Sequence, residues 1–130
     1  MGTESTRPVV LDAGALIAFE HNDRKVRALI ELAVKNDVPL HTSAGVVGQV
    51  WRNGSRQVRL ARLIASGIIH VQPLDLEEAQ AAGVLCGKSK TRDVIDASVA
   101  LLGRRHSARV VTSDPDDLRR IDAKLSIVTC

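Results

Sequence analysis

Tyrosine is absent from this sequence, and one tryptophan and one phenylalanine make up its 2% of aromatic residues. The core must then be built from Val, Leu, Ile and Ala. Recognition of unpaired bases by stacking, which needs exposed rings, is disfavoured. Cysteine is also scarce: Cys86 and the terminal Cys130 have no metal-ligand spacing and are too few for a disulfide framework. That usage fits a reducing, cytoplasmic setting. No apolar run approaches a membrane span, and the first residues carry no apolar stretch of signal-peptide length. They do fit the loose acylation pattern at Gly2 and Thr6, which is short and common by chance. There is no Walker-type glycine loop, which argues against a nucleotide hydrolase, and no Gly-x-Ser-x-Gly elbow.

What remains is an ordinary globular composition. The 130 residues (14.0 kDa) are 45% hydrophobic, enough to bury roughly two-thirds of the unfolded surface without staples. No repeat, linker or low-complexity segment interrupts them, so residues 1–130 are expected to form one domain. A net charge of +3 suits a phosphate-rich partner, and suits a solvated basic surface equally well.

Short apolar runs at 8–11, 40–41, 68–71, 109–112 and 127–128 predict strands. Between them, apolar spacing predicts helices over 13–20, 23–35, from Thr42 or Ser43 to about 53, from Ser55 to about 66, 75–85, from Thr91 to 105, and 115–121. Asn36-Asp37, Asn53-Gly54 and Gly67 punctuate them. This alternation predicts an α/β fold with a mostly parallel central sheet and helices on both faces. In such sheets ligands bind beyond the carboxyl ends of the strands, where strand order reverses.

Acidic residues stand at those ends. Asp12 closes the first strand in VVLDAGAL, and Asp114 follows the fourth in RVVTSDPDDL. Either could simply cap the following helix, and Asp114-Pro115 is a strong capping pair. Asp96 is harder to explain as a cap. The helix expected to open at Thr91 puts it in the second turn, beside the apolar stripe and one turn from Asp93. Were Asp12, Asp96 and Asp114 to converge at about 4 Å, each pair would repel by about 4 kcal/mol at an effective dielectric near 20. A retained proton or a hard divalent cation would then be required, and Mg2+ or Mn2+ suits an oxygen-only donor set.

A first-strand Asp, an Asp-x-x-Val-Ala on a late helix (Asp96 to Ala100) and a Thr-x-Asp after the next strand (Thr112 to Asp114) together resemble the PIN domain. Among PIN domains they resemble VapC-type toxins. The resemblance covers nearly the whole chain and implies a three-layer PIN-like fold. It assigns metal coordination to Asp12, Asp96 and Asp114, with Asp93 or Asp117 at the margin. It also implies Mg2+- or Mn2+-dependent endoribonuclease activity on structured RNA, inhibition by a small VapB-like antitoxin, and a homodimer. One position departs from the pattern. Where the family carries Glu on the helix after the second strand, SAGVVGQVWR has Gln49, and no acid lies between Asp37 and Asp75 to replace it. Glutamine can ligate through its carbonyl oxygen or orient water, but supplies no charge and takes no proton. Metal binding is therefore expected to be weaker, and activity reduced, narrowed to Mn2+ or lost.

Basic residues supply candidate RNA contacts. Arg52, Arg56, Arg59 and Arg62 are expected along one side of the Ser55 helix, and Lys88, Lys90 and Arg92 lead into the Asp93–Asp96 helix. The four histidines are scattered without ligand spacing and receive no role. Two alternatives to a nuclease remain. One is a degenerate PIN fold serving as a non-catalytic RNA- or partner-binding module, which Gln49 favours. The other is a receiver-type signalling domain, disfavoured because Gln72 and Pro73, not Asp, follow the middle strand.

Overall fold

The computed structural model describes residues 6–130, so Gly2 of the acylation pattern lies outside the described residues. In chain order the elements are β1 (Val9–Leu11), α1 (Ala13–Glu20), α2 (Arg24–Lys35), β2 (Leu40–Ser43), α3 (Ala44–Val50) and α4 (Val58–Ala65). There follow β3 (Ile69–Gln72), α5 (Leu76–Ser89), α6 (Val94–His106), β4 (Arg109–Thr112), α7 (Pro115–Ile121) and β5 (Ser126–Thr129). The strands form one sheet in the order β3-β2-β1-β4-β5, and every pairing is parallel. The chain builds outward from β1 to β3, then crosses back to lay β4 on the free side of β1. Strand order thus reverses between β1 and β4, the switch point beyond whose carboxyl ends such sheets bind their ligands.

Both faces of this sheet are covered. Val9, Val10 and Leu11 are all fully buried, which a strand with one wet face cannot be. Val110 meets Gly103 of α6 so closely that a Cβ on that glycine would come within 2.9 Å of it. By register, Val10 shares that face with Val110, so Val9, Leu11 and Val111 look the other way, toward the side from which α1 contacts β1 and β4. A second, smaller apolar cluster joins α5, α6 and α7 through Ala82, Leu85, Cys86, Ala97, Ala100 and Ile121. Asp23, Ser43 and Asp75 cap α2, α3 and α5, each accepting the backbone N–H three residues on. No helix among the described residues is long and apolar enough to cross a membrane.

Several helix boundaries differ from those expected. Ser55 does not open a helix; it bonds Asn53 in a turn, and α4 begins only at Val58. The cause is Gln57, whose buried amide is fully used: Oε1 accepts from the N–H groups of Arg52 and Asn53, and Nε2 donates to Glu20 and the Val50 carbonyl. These bonds hold 51–57 as a compact turn, and a helix there would break them. Likewise α5 runs on to Ser89, Lys90 ends it in the left-handed region (φ 56°), and α6 starts at Val94 rather than Thr91.

Three histidines without any sequence relationship are stacked. The ring of His41 on β2 lies 3.9 Å from that of His106 at the end of α6, and 5.4 Å from that of its register partner His70 on β3. Burial, then the neighbouring His106 and His70, push His41 down to about 4. The unfolded chain takes up this proton near pH 6.5 while the folded one resists until about pH 4. The stability that depends on neutral His41 is therefore present above pH 6.5 and lost as pH falls toward 4. His41→Phe, which keeps a stacked ring without titrating, should lose less melting temperature than the parent between pH 6.5 and 4.5. Parallel curves for the two proteins in that window would refute this.

Candidate active site

Asp12 is the N-cap of α1 and is 8% exposed. Its carboxylate accepts from the N–H of Ala15 (3.2 Å), from that of Gly14 and from the hydroxyl of Thr112. Burial outweighs these donors and pushes its pKa up, with the charge of Asp114 adding to the effect. The capping expected of Asp12 is therefore real, yet it uses a buried carboxylate at the switch point, which capping does not require. Asp114 is different. It occupies the N-cap position of α7 ahead of Pro115, but its side chain makes no capping hydrogen bond. That carboxyl instead bonds Asp117, one turn into α7, raising the Asp117 pKa.

Thr112 joins the two segments. Fully buried at the end of β4, its Oγ1 donates to Asp12 and accepts the backbone N–H of Asp114 at 2.9 Å. One hydroxyl thus fixes the two aspartates that the sheet brings to neighbouring strand ends. Gly14 lets them approach, because a Cβ there would come within 2.1 Å of Ser113 Oγ and 2.9 Å of the Ser113 backbone nitrogen. Sequence reasoning gave neither residue a role, although both lie inside the motifs it used. Thr112→Val should cost about 1–3 kcal/mol, because it strips a donor from the buried Asp12 carboxylate and an acceptor from the part-buried Asp114 N–H. Thr112→Ser should recover most of that loss. Equal melting temperatures for the Val variant and the parent would show that the hydroxyl does no such work.

Asp96 lies in the first turn of α6, not the second as expected from the sequence. Asp93 is the cap, and its Oδ1 accepts the Asp96 N–H at 2.9 Å. Capping thus accounts for Asp93 and leaves the Asp96 carboxyl unexplained by local structure. Half-buried, Asp96 is pushed up to about 7, first by burial, then by the charges of Asp93 and Asp117, with Asp12 adding a smaller push. Its carboxyl opens on a cavity of about 280 Å3 whose wall also includes Lys90, Asp93, Asp117 and Arg120.

The five aspartates therefore form an open chain of mutually repelling groups around the crevice between β1, β4 and the start of α6. Among the described residues no three His, Cys, Asp or Glu side chains are already gathered as a metal-holding group. The donor chemistry nonetheless fits a metal ion. Every charged group lining the cavity except Lys90 and Arg120 is a carboxylate, and Asp96 holds a proton that a cation could displace. The thiols of Cys86 and Cys130 lie near enough to feel these carboxylates, whose charge helps to hold both thiols protonated.

Gln49 is exposed on α3, and no hydrogen bond or ion pair fixes its side chain among the described residues. It sits one turn beyond Gly45, where a Cβ would come within 3.1 Å of Ile95, the residue before Asp96. The acidic helix start and the Gln49 face of α3 are thus neighbours, but nothing holds the amide on the carboxylates. The expected basic ridge is broken by the Gln57 turn. Arg52 bonds the carbonyls of Gly48 and Trp51, whereas Arg56 joins Arg59 and Arg62 around a separate cavity of about 350 Å3. Lys88, Lys90 and Arg92 are exposed, and Lys90 lines the acidic cavity.

The PIN domain family model matches residues 9–124 of the chain. No curated protein matches it. Among solved structures, VapBC2 from Rickettsia felis, bound to a DNA fragment from its promoter, superposes with a TM-score of 0.69 at 14% identity, covering 94% of this chain and 98% of its own. FitAcB from Neisseria gonorrhoeae gives 0.62 at 18% identity, covering 92% and 95%. VapC20 of Mycobacterium tuberculosis, a toxin cleaving the sarcin–ricin loop, gives 0.57 at 15% identity, covering 78% and 86%. Identities this low establish a shared fold only.

Proposed function

Since this chain belongs to the PIN domain family, we propose that it is a divalent-metal-dependent endoribonuclease, the toxin of a VapBC-type pair, folded as one domain over residues 1–130. The observation that carries this reading is the placement of Asp12 and Asp114 at the strand-order switch, with Asp12 near an Asp96 whose pKa is pushed up to about 7 by burial and then by like charges. Asp12, Asp96 and Asp114 would hold Mg2+ or Mn2+, with Asp93 and Asp117 contributing at the edge. The ion, when bound, would stabilise the charge that gathers on the scissile phosphate. Thr112 and the amides of Gly14 and Ala15 keep Asp12 in one orientation. To serve as a ligand Asp96 would have to be ionised, which its raised pKa opposes below neutral pH. Gln49 Oε1 can accept a hydrogen bond from the attacking water and so orient it, but cannot take its proton. Arg52, Arg56, Lys90 and Arg92 would hold the RNA backbone by charge, with a corresponding salt dependence.

An antitoxin partner is supported by a second surface. A groove of about 630 Å3 between α2 and α4 is floored by Ile30, Val34, Leu63 and Ile68 and edged by Lys35, Arg59 and Arg62. It suits an amphipathic, acidic segment. The likeness to VapBC2 and FitAcB points the same way. The alternative, a non-catalytic RNA- or partner-binding module, draws its support from Gln49.

Calorimetric titration with Mn2+ at about pH 8, above the Asp96 value, tests the reading without knowledge of the RNA. The parent should bind saturably and Asp12→Asn should not. A parent that takes up no Mn2+, alone or with an RNA oligonucleotide present, would end the metal-nuclease reading.

A further inference from the structure

Arg56, Arg59 and Arg62 surround a cavity of about 350 Å3 whose remaining wall is Glu20, Gln57 and Val58. That volume falls within the range of small-ligand sites. The turn at 51–57 creates it. Gln57, 9% exposed, reaches back to Glu20 at 2.6 Å and to the Val50 carbonyl, which leaves Arg56 ahead of α4 rather than inside a longer helix. None of the three guanidinium groups has a hydrogen-bond or ion-pair partner among the described residues. Arg27, Arg104, Arg105, Arg119 and Arg120, by contrast, are each paired with an acid. The one acid in the cavity wall, Glu20, is already engaged by the Gln57 amide.

Charge specifies the ligand. Three guanidinium groups against one carboxylate leave two positive charges in excess. A phosphate inside an RNA strand is a diester with one negative charge, whereas a terminal phosphate is a monoester with close to two. Guanidinium forks meet phosphate oxygens with paired N–H donors and stay charged at any working pH. Val58, 47% exposed, adds an apolar wall for the adjoining sugar. No aromatic ring lines the cavity, so the base beyond the phosphate is not read there by stacking. Glu20 ends α1 and Asp12 caps its start, and the eight residues of that helix span about 12 Å. A strand held in the cavity by its end therefore reaches the acidic crevice within a few nucleotides.

We propose that this cavity receives the terminal phosphate of an RNA strand, with Arg56, Arg59 and Arg62 binding the monoester dianion. The preferred substrates are then RNAs that carry such an end. The proposal rests on the reading that RNA is the substrate. It goes beyond backbone contacts made by charge alone, which do not distinguish the end of a strand from its middle.

Binding of a short single-stranded RNA to the whole chain in EDTA tests this without metal or cleavage. The 5′ end is left bare, phosphorylated, or capped as a methyl phosphate, and a second set varies the 3′ end in the same way. At one end the phosphorylated strand should bind at least about tenfold more tightly than the bare one. The methyl phosphate, which carries a single charge, should forfeit most of that gain. Arg56→Gln, Arg59→Gln and Arg62→Gln should each shrink it, and all three side chains are exposed, so the fold is kept. Lys124→Gln, which removes one positive charge from the segment before β5, should leave it intact. Equal affinity for bare and phosphorylated strands at both ends, or a gain that survives the arginine substitutions, overturns the proposal. So does inorganic phosphate that binds as tightly as the phosphorylated strand, since the site would then take the free anion. A lost end preference beside intact Mn2+ uptake sinks this proposal alone, and the reverse result sinks only the metal-nuclease reading.

Discussion

Asp96→Asn is expected to abolish RNA cleavage and saturable Mn2+ binding while leaving the fold more stable at high pH than the parent. Losing one of three charged ligands should lower activity by at least about 100-fold, the scale seen for removing a metal's supporting groups or a charge-stabilising donor. The stability effect runs the other way. In the parent the Asp96 carboxyl ionises only near pH 7 in the folded state, against 3.8 for an ordinary aspartate. Between those values the folded state holds the extra proton, so stability declines as pH rises through that window. Asparagine keeps the shape and the first-turn position without the charge. After discounting for solvent screening the gain is about 1 kcal/mol, or roughly 3–5 °C in melting temperature for a chain of this size. It should appear at pH 8 in EDTA and vanish near pH 4. A variant that still cuts RNA at the parental rate removes Asp96 from the site. A variant that melts below the parent at pH 8 removes the electrostatic account of it.

Gln49→Glu should produce the largest gain available from one substitution. The acid chain around the crevice has Asp12, Asp114 and Asp117 on the strand side and Asp93 and Asp96 at the start of α6. From α3, which packs against Ile95, it receives only an exposed amide. A carboxylate at that position adds a ligating charge and a proton acceptor. Tighter Mn2+ binding by about 10- to 100-fold is expected, equivalent to about 1.4–2.8 kcal/mol. Without metal the added like charge should lower the melting temperature slightly, and with excess Mn2+ the order should reverse through linkage. Cleavage should rise if the natural protein is a weakened enzyme. Tighter metal binding with no cleavage of any RNA would instead favour the binding-module reading.

Much of this was legible from the sequence because the governing forces are local. Strand runs ending in Asp12 and shortly before Asp114, with a helix-borne Asp96 between them, were enough to anticipate a parallel sheet and an acidic crevice at its switch point. Two helix starts went to competing interactions, one distant in the chain and one local. Ser55 has the look of a cap, but Gln57 reaches back to Glu20, 37 residues away, and holds the chain in a turn. Thr91 likewise resembles a helix start, yet Asp93 takes the cap and moves Asp96 a turn closer to the helix end.

The sequence by itself determined the order of elements, the apolar faces that bury them and the strand ends that carry aspartate, since periodicity, capping and turn chemistry act over a few residues. Only the tertiary structure decided which carboxyl keeps its proton. It also decided that Thr112 serves two aspartates at once and that three histidines from distant segments stack. Those outcomes depend on desolvation and on charges or contacts contributed by residues far apart in the chain, and such neighbours exist only once the sheet has closed around β1.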